Sequence, residues 1–329
     1  MKGPLMAFAL CCAYSAAGQV RLSEVLARAQ GYDAGLEAAK EKTAAAAWAK
    51  LVSPQDRVAI KISTAGGSVL STHKGLLSAV IKGLTDAGVP AQNIVIWDKF
   101  KHHLEKAGFD KTFGNAGIAV TATVPEAGYD PESSYEFEVT GQLIWGDRDF
   151  DSTLAARTPP DATVPDQLST KSYFSNIVTR QTTKIINIPA LTDHPEFGLN
   201  GCLVSLAVDS ADNCRRFGRT PYYGVPAIPE IWNLPFCKDK CVLNILDGLV
   251  IGYAGGPAFN ANYAEPVGKI LASLEPVAPD ALALAELKTR RESAHVATPE
   301  WFGVHVDACA QSGLGEAQRE KMDIVELEI

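Results

Sequence analysis

Asp193 and His194 stand side by side after the apolar run Lys184-Ile185-Ile186-Asn187-Ile188-Pro189. Asp98 closes the run Ile94-Val95-Ile96-Trp97, and Asp247 closes Val242-Leu243-Asn244-Ile245-Leu246. Carboxylates and an imidazole gathered at one sheet edge can act as general acid and base. The same residue types can hold a divalent metal. Asp193, His194, Asp98 and Asp247 are therefore the candidate catalytic residues, with Asp193 and His194 the candidate metal ligands. Lys61 lies in the run Val58-Ala59-Ile60-Lys61-Ile62-Ser63, which leads into Gly66-Gly67 and Ser71-Thr72-His73. A glycine-containing loop ahead of a helix presents backbone N–H groups to an anion. Lys61 adds a positive charge, although strand alternation can point it away. Two functions fit. One is an enzyme, metal-assisted or acid–base, acting on a small anionic substrate, with its four candidates within a metal's reach of one another. The other is a non-catalytic binding protein with a pocket around Gly66, Gly67, Lys61 and His73. Each residue also has an ordinary structural use, since an Asp at a strand end commonly caps the next helix.

These positions matter only if the runs that carry them are strands of one sheet. Val58 to Ser63 is short and rich in β-branched residues, as strands are. Thr72 can cap a following helix whose Leu76, Leu77, Val80, Ile81 and Leu84 share a face, and Gly88 ends it. A strand at 94–97, a helix through Leu104 to Ala107 and a strand at 117–123 continue the alternation. That order predicts βαβ units, hence an α/β fold with a mostly parallel central sheet flanked by helices. Residues 125–180 form an irregular insertion that holds one hairpin or edge strand, in which 135–139 and 143–145 could pair across a turn at Thr140-Gly141-Gln142. A helix over Cys202 to Val208 and two C-terminal helices, 281–291 and 299–312, complete the pattern, with Asp280 beside the start of the first. Residues 19–51 read as an N-terminal helical segment and 52–329 as one α/β domain.

The chain has 329 residues, 47% hydrophobic and 21% charged, as an ordinary globular protein has. The net charge of -8 and the lack of a Lys/Arg cluster argue against a nucleic-acid partner. No stretch reaches the length of a membrane span. Met1-Lys2, the apolar run to Ala13 and Ser15-Ala16-Ala17 make residues 1–18 a candidate signal peptide. Export is the expectation, against a cytoplasmic protein whose first residues are a buried helix. Of seven cysteines, five lie beyond that segment, an odd number for a fully paired framework. Cys237 and Cys241 lack Cys-x-x-Cys spacing, and no dense cysteine run offers an iron–sulfur site. Walker A, G-x-G-x-x-G, H-E-x-x-H and G-x-S-x-G motifs are absent.

The chain resembles the domain of unknown function 362 family over about residues 53–291. The resemblance runs through the strand residues 58–62 with Ser71-Thr72-His73, then through 94–98. It continues through Ile188-Pro189-Ala190-Leu191-Thr192-Asp193-His194, Gly198 to Gly201, and Asn213 with Arg216-Phe217. It closes on Asp247-Gly248-Leu249, Tyr253-Ala254-Gly255-Gly256-Pro257 and Pro276 to Asp280. It implies an α/β domain, export, and Asn213 as a further ligand-binding residue. Similar proteins often carry twin-arginine signals, and some carry a ferredoxin-like module; this chain has neither feature. It departs at Ser63 and Ser205, where similar sequences usually have Asn, at Gly218, where many have His, and at Glu275, where many have Asp.

Overall fold

The apolar run Val58–Ile62 is buried at every position, so both of its faces must be covered. Its residues divide by the two-residue period of a strand. Val58, Ile60 and Ile62 enter one core with Leu77, Leu84, Ile94 and Leu104. Ala59 enters a second core with Trp97, Leu203, Phe217 and Ile231. Helices on both faces of a parallel sheet are the arrangement that such a strand requires. The computed structural model describes residues 6–11, 44–148 and 168–328.

The elements in chain order are β1 (Met6–Cys11), α1 (Ala44–Trp48), β2 (Val58–Ile62), α2 (Lys74–Asp86), β3 (Ile94–Phe100), α3 (Lys101–Ala107), α4 (Phe109–Phe113) and β4 (Ala119–Val124). Then come β5 (Tyr129–Gln142), β6 (Leu168–Ser175), β7 (Lys184–Ile188), β8 (Ala190–His194), β9 (Gly198–Asn200), α5 (Cys202–Ala207), α6 (Ala227–Trp232) and α7 (Pro235–Lys238). The chain closes with β10 (Cys241–Gly252), β11 (Ala264–Ser273), α8 (Val277–Ser293), α9 (Val304–Gln311) and β12 (Asp323–Glu328). The main sheet runs β12-β1-β11-β10-β7-β2-β3-β4, with β8 beside β10 and β9 beside β8. Pairings from β10 through β7, β2 and β3 to β4 are parallel, and β11 and β9 pair antiparallel. The α/β fold expected from the sequence is thus present.

Several local expectations change. The run at 6–11 is a strand between β11 and β12 rather than a helix. Within 19–51 the described residues are 44–51, which hold α1 and a turn; residues 19–43, and the remainder of 1–18, lie outside them. Thr72 does not cap α2. Its hydroxyl donates to the Ile188 carbonyl at 2.6 Å, and His73 takes the cap position. The residues 140–142 are not a turn: β5 runs through them and pairs with β6 in a separate two-stranded sheet. Fully buried Arg216 fastens that arm, donating to the carbonyls of Tyr135, Phe137 and Val139 and to the Ser172 hydroxyl. Among the described residues no helix is long and apolar enough to cross a membrane.

Candidate functional site

In a parallel sheet, ligands bind beyond the carboxyl ends of the strands, where rigid elements present the loops. At the ends of β2, β3 and β8 lies a cavity of about 360 Å³. Its wall includes Thr64, Asp98, Lys99, His194, Glu196, Asp209 and Cys214. Two cavities of about 480 and 450 Å³ lie elsewhere, one beside Cys237 and Glu275, the other beneath α8. We take the smaller one as the candidate site because titratable groups converge there at the carboxyl ends of the parallel strands.

Beneath it sits Lys61, with no exposed surface. Strand alternation carries its side chain to the α5 side of the sheet, away from Ile60 and Ile62. Its ammonium donates to Asp98 Oδ1 at 2.8 Å, to Asp209 Oδ2 at 3.3 Å and to the Ile62 carbonyl at 2.7 Å. Burial lowers the Lys61 pKa, but the Asp98 and Asp209 carboxylates outweigh it and hold the pKa above the ordinary value. Burial likewise opposes charge on Asp98, and Lys61 overcomes it, holding Asp98 below the usual range. Asp98 Oδ2 also accepts from the Thr64 N–H and hydroxyl, and Oδ1 from the Lys99 N–H. Asp209, with 32% of its side chain exposed, meets the cavity.

His194 forms part of the opposite wall. Its Nδ1 lies 3.1 Å from the Glu196 N–H, which can only donate, so the neutral ring carries its proton on Nε2. Burial lowers its pKa to about 4, so the ring is neutral at pH 7. Burial raises the Glu196 carboxyl, against the pull of Arg215 and Arg219. Lys99 donates to the Ala211 carbonyl at 2.8 Å and to Cys214 Sγ at 3.0 Å. Burial raises the Cys214 thiol, while Lys99 opposes it.

The structure brings only part of the expected site together. Asp98 and His194 line the cavity; Asp193 and Asp247 do not. Adjacent residues on β8 face opposite sides, so Asp193 turns away from His194. Its oxygens accept from the Gly256 N–H at 2.6 Å and the Gly255 N–H at 3.1 Å, and Arg291 lies 3.5 Å away. A Cβ on Gly256 would lie 2.5 Å from the Asp193 carbonyl, so a glycine is needed there. Asp247 lies inside β10 and accepts from the His73 N–H at 2.6 Å, with His73 Nδ1 at 3.0 Å. Asp247 raises the His73 pKa against the effect of burial. Each carboxylate thus anchors a different connection, and the expected four-residue cluster does not form. Among the described residues no three His, Cys, Asp or Glu side chains are grouped to hold a metal.

The expected anion loop is also closed on itself. Gly67 N–H donates to the Thr64 carbonyl at 3.1 Å, Leu70 N–H to Gly66, and Ser71 Oγ to the Gly67 carbonyl at 2.5 Å. None of Gly66, Gly67, Ser71, Thr72 and His73 reaches the cavity. Asn213 does line it, but its amide donates to the Ser169 and Lys171 carbonyls and holds β6 in place. Reasoning from sequence missed Asp209, Lys99, Glu196 and Cys214 as site residues, and marked Ser63 only as a departure from the resembling sequences. Lys99 beside Asp98 reads as turn chemistry, and Glu196 two places after His194 was the strongest overlooked signal.

The chain matches no family model and no curated protein. Among solved structures it is similar to a Thermotoga maritima protein determined by the Northeast Structural Genomics Consortium. The identity is 13% and the TM-score 0.38, over 78% of this chain and 59% of that one.

Proposed function

We propose that the chain is an enzyme that performs acid–base chemistry on a small molecule in the cavity at the ends of β2, β3 and β8. One observation carries this reading: a fully buried lysine ties two carboxylates, Asp98 and Asp209, beneath the cavity floor. Buried ion pairs are costly to build, and perturbed titratable groups in a cleft are a recurrent property of catalytic sites. Asp98 is fully hydrogen-bonded and positions Lys61. Asp209 is the exposed partner and can exchange a proton with a ligand. Glu196, raised by burial, is suited to the opposite proton transfer. Neutral His194 offers an Nε2–H to an oxygen that gains charge. An acid–base mechanism uses these residues as they stand. Kinship with the domain of unknown function 362 family belongs to the same proposal. In its favour, the resembling stretches around Asp193 and Gly255-Gly256 are joined by direct hydrogen bonds.

The test is untargeted turnover. Purified protein is incubated with a small-metabolite extract and the mixture followed by mass spectrometry. We expect at least one metabolite to be consumed by the wild type, with the rate falling by about 100-fold in Asp209→Asn, in the range of a lost general acid or base. No consumption by the wild type, or equal consumption by the variant, contradicts the proposal.

A further inference from the structure

The cavity wall carries four carboxylates, yet it also holds donors whose hydrogen-bonding capacity is left open. Asp98 accepts from Lys61, Thr64 and Lys99. Asp147 accepts from the Ile144 and Asn213 N–H groups. Asp209 faces Lys61, and Glu196 lies in the field of Arg215 and Arg219. Each negative group therefore already has donors or cations beside it.

The donors differ. Lys99 is 8% exposed and is in hydrogen-bond contact with two uncharged protein groups, the Ala211 carbonyl and the Cys214 sulfur. An ammonium has three protons, so one has no hydrogen-bond acceptor among the described residues; the Phe100 ring centroid lies 5.6 Å from the nitrogen, and the Asp209 carboxylate adds to the field around it. Ser63 is also 8% exposed. Its N–H lies 3.0 Å from Thr72 Oγ1 and its carbonyl accepts the Thr72 N–H at 2.9 Å, but its buried hydroxyl has no partner among the described residues. The His194 Nε2–H is a third donor. All three residues line the one cavity, and Arg215 stands exposed at its edge. Buried polar groups are normally paired, and a buried ammonium favours an anionic partner.

We propose that this cavity binds the anionic oxygen group of its ligand, a carboxylate or a phosphate, through the Lys99 ammonium, the Ser63 hydroxyl and the His194 Nε2–H. The assignment rests on the acid–base reading of the same cavity and supplies its substrate class. It also moves the anion site from the Gly66-Gly67 loop to the wall between β2, β3 and β8. Asp209 and Glu196 then remain on the ligand's reacting side.

Calorimetric titration of the full chain with inorganic phosphate and with malonate, at constant ionic strength, tests it. Saturable one-to-one binding of either anion is expected. Phosphate alone points to a phosphorylated ligand, malonate alone to a carboxylate. Lys99→Gln should weaken binding by about tenfold or more, as loss of a charge-assisted hydrogen bond does. Ser63→Ala should weaken it by about threefold, and it decides the matter if Lys99→Gln does not fold. No saturable binding of either anion overturns the assignment, as does wild-type affinity in the folded variants. Asp209→Asn separates the two proposals: it should keep anion binding while losing turnover. Lost turnover without any anion site leaves the acid–base reading alone, and anion binding with unchanged turnover leaves the anion site alone.

Discussion

Asp98→Ala is the sharpest perturbation of the site's foundation. The carboxylate accepts four hydrogen bonds: Lys61 Nζ at 2.8 Å, Thr64 N–H at 2.9 Å, Thr64 Oγ1 at 2.5 Å and Lys99 N–H at 2.7 Å. Its loss leaves the buried Lys61 ammonium with Asp209 alone as counter-charge, at 3.3 Å. Removing one partner of a buried pair costs about 3–5 kcal/mol. With a urea m-value of about 3 kcal/mol/M for a chain of this size, the midpoint should fall by about 1–1.7 M. Equilibrium urea unfolding followed by far-ultraviolet circular dichroism reads this directly. The double variant Lys61→Met with Asp98→Leu should recover the part of the loss due to the unpaired ammonium, while the Thr64 and Lys99 donors stay without their acceptor. A midpoint shift below about 0.3 M, the scale of an exposed ion pair, would refute the reasoning.

Three further outcomes follow from other parts of the fold. Burial, with His194 nearby, lowers the pKa of His305 to about 3, so as pH falls below about 6.5 the unfolded chain takes up a proton that the folded chain refuses. The stability held by neutral His305 is therefore present above pH 6.5 and is lost on acidification. His305→Phe should gain on the wild type by about 1.4 kcal/mol per pH unit between pH 6 and 4, and an equal difference at pH 7.5 and 4.5 would contradict this. Arg216→Met removes donors to three carbonyls of β5, and limited proteolysis should then cut within 129–142 at a rate at least about tenfold higher; unchanged protection would count against the arm's dependence on Arg216. A Cβ at Gly218 would lie 2.4 Å from Glu196 Cβ, so Gly218→His should cost about 1–3 kcal/mol by thermal melting. Glu196→Gly in the same chain, which removes the clashing Cβ, should restore much of it, and an undiminished loss would place the strain elsewhere.

Much of the scaffold was legible because it obeys simple periods. The parallel strands around Val58, Ile94 and Lys184 follow from short β-branched runs between helical stretches, and the burial of Ile60 and Ile62 follows from alternation. The same alternation implies that Asp193 and His194 face opposite ways, a consequence that pairing them as ligands overlooked. Strand length was harder to read. β3 and β10 continue past Asp98 and Asp247, so residues expected in loops lie within strands. Asp209 was not legible at all, since only the assembled sheet brings it against Lys61, 148 residues away. Gly218, a departure from the resembling sequences, has a local reason: the space that its side chain would fill is occupied by Glu196.

The central claim is that the cavity at the ends of β2, β3 and β8 is where the chain's small molecule binds and reacts. A crystal structure with the consumed metabolite, or its unreactive analogue, tests this most directly. The account predicts ligand density in that cavity, an anionic oxygen within hydrogen-bond distance of Lys99 Nζ and Ser63 Oγ, and the reacting atoms facing Asp209. Ordered ligand beside Cys237 and Glu275, or beneath α8, with the Asp209 cavity unchanged, would contradict it.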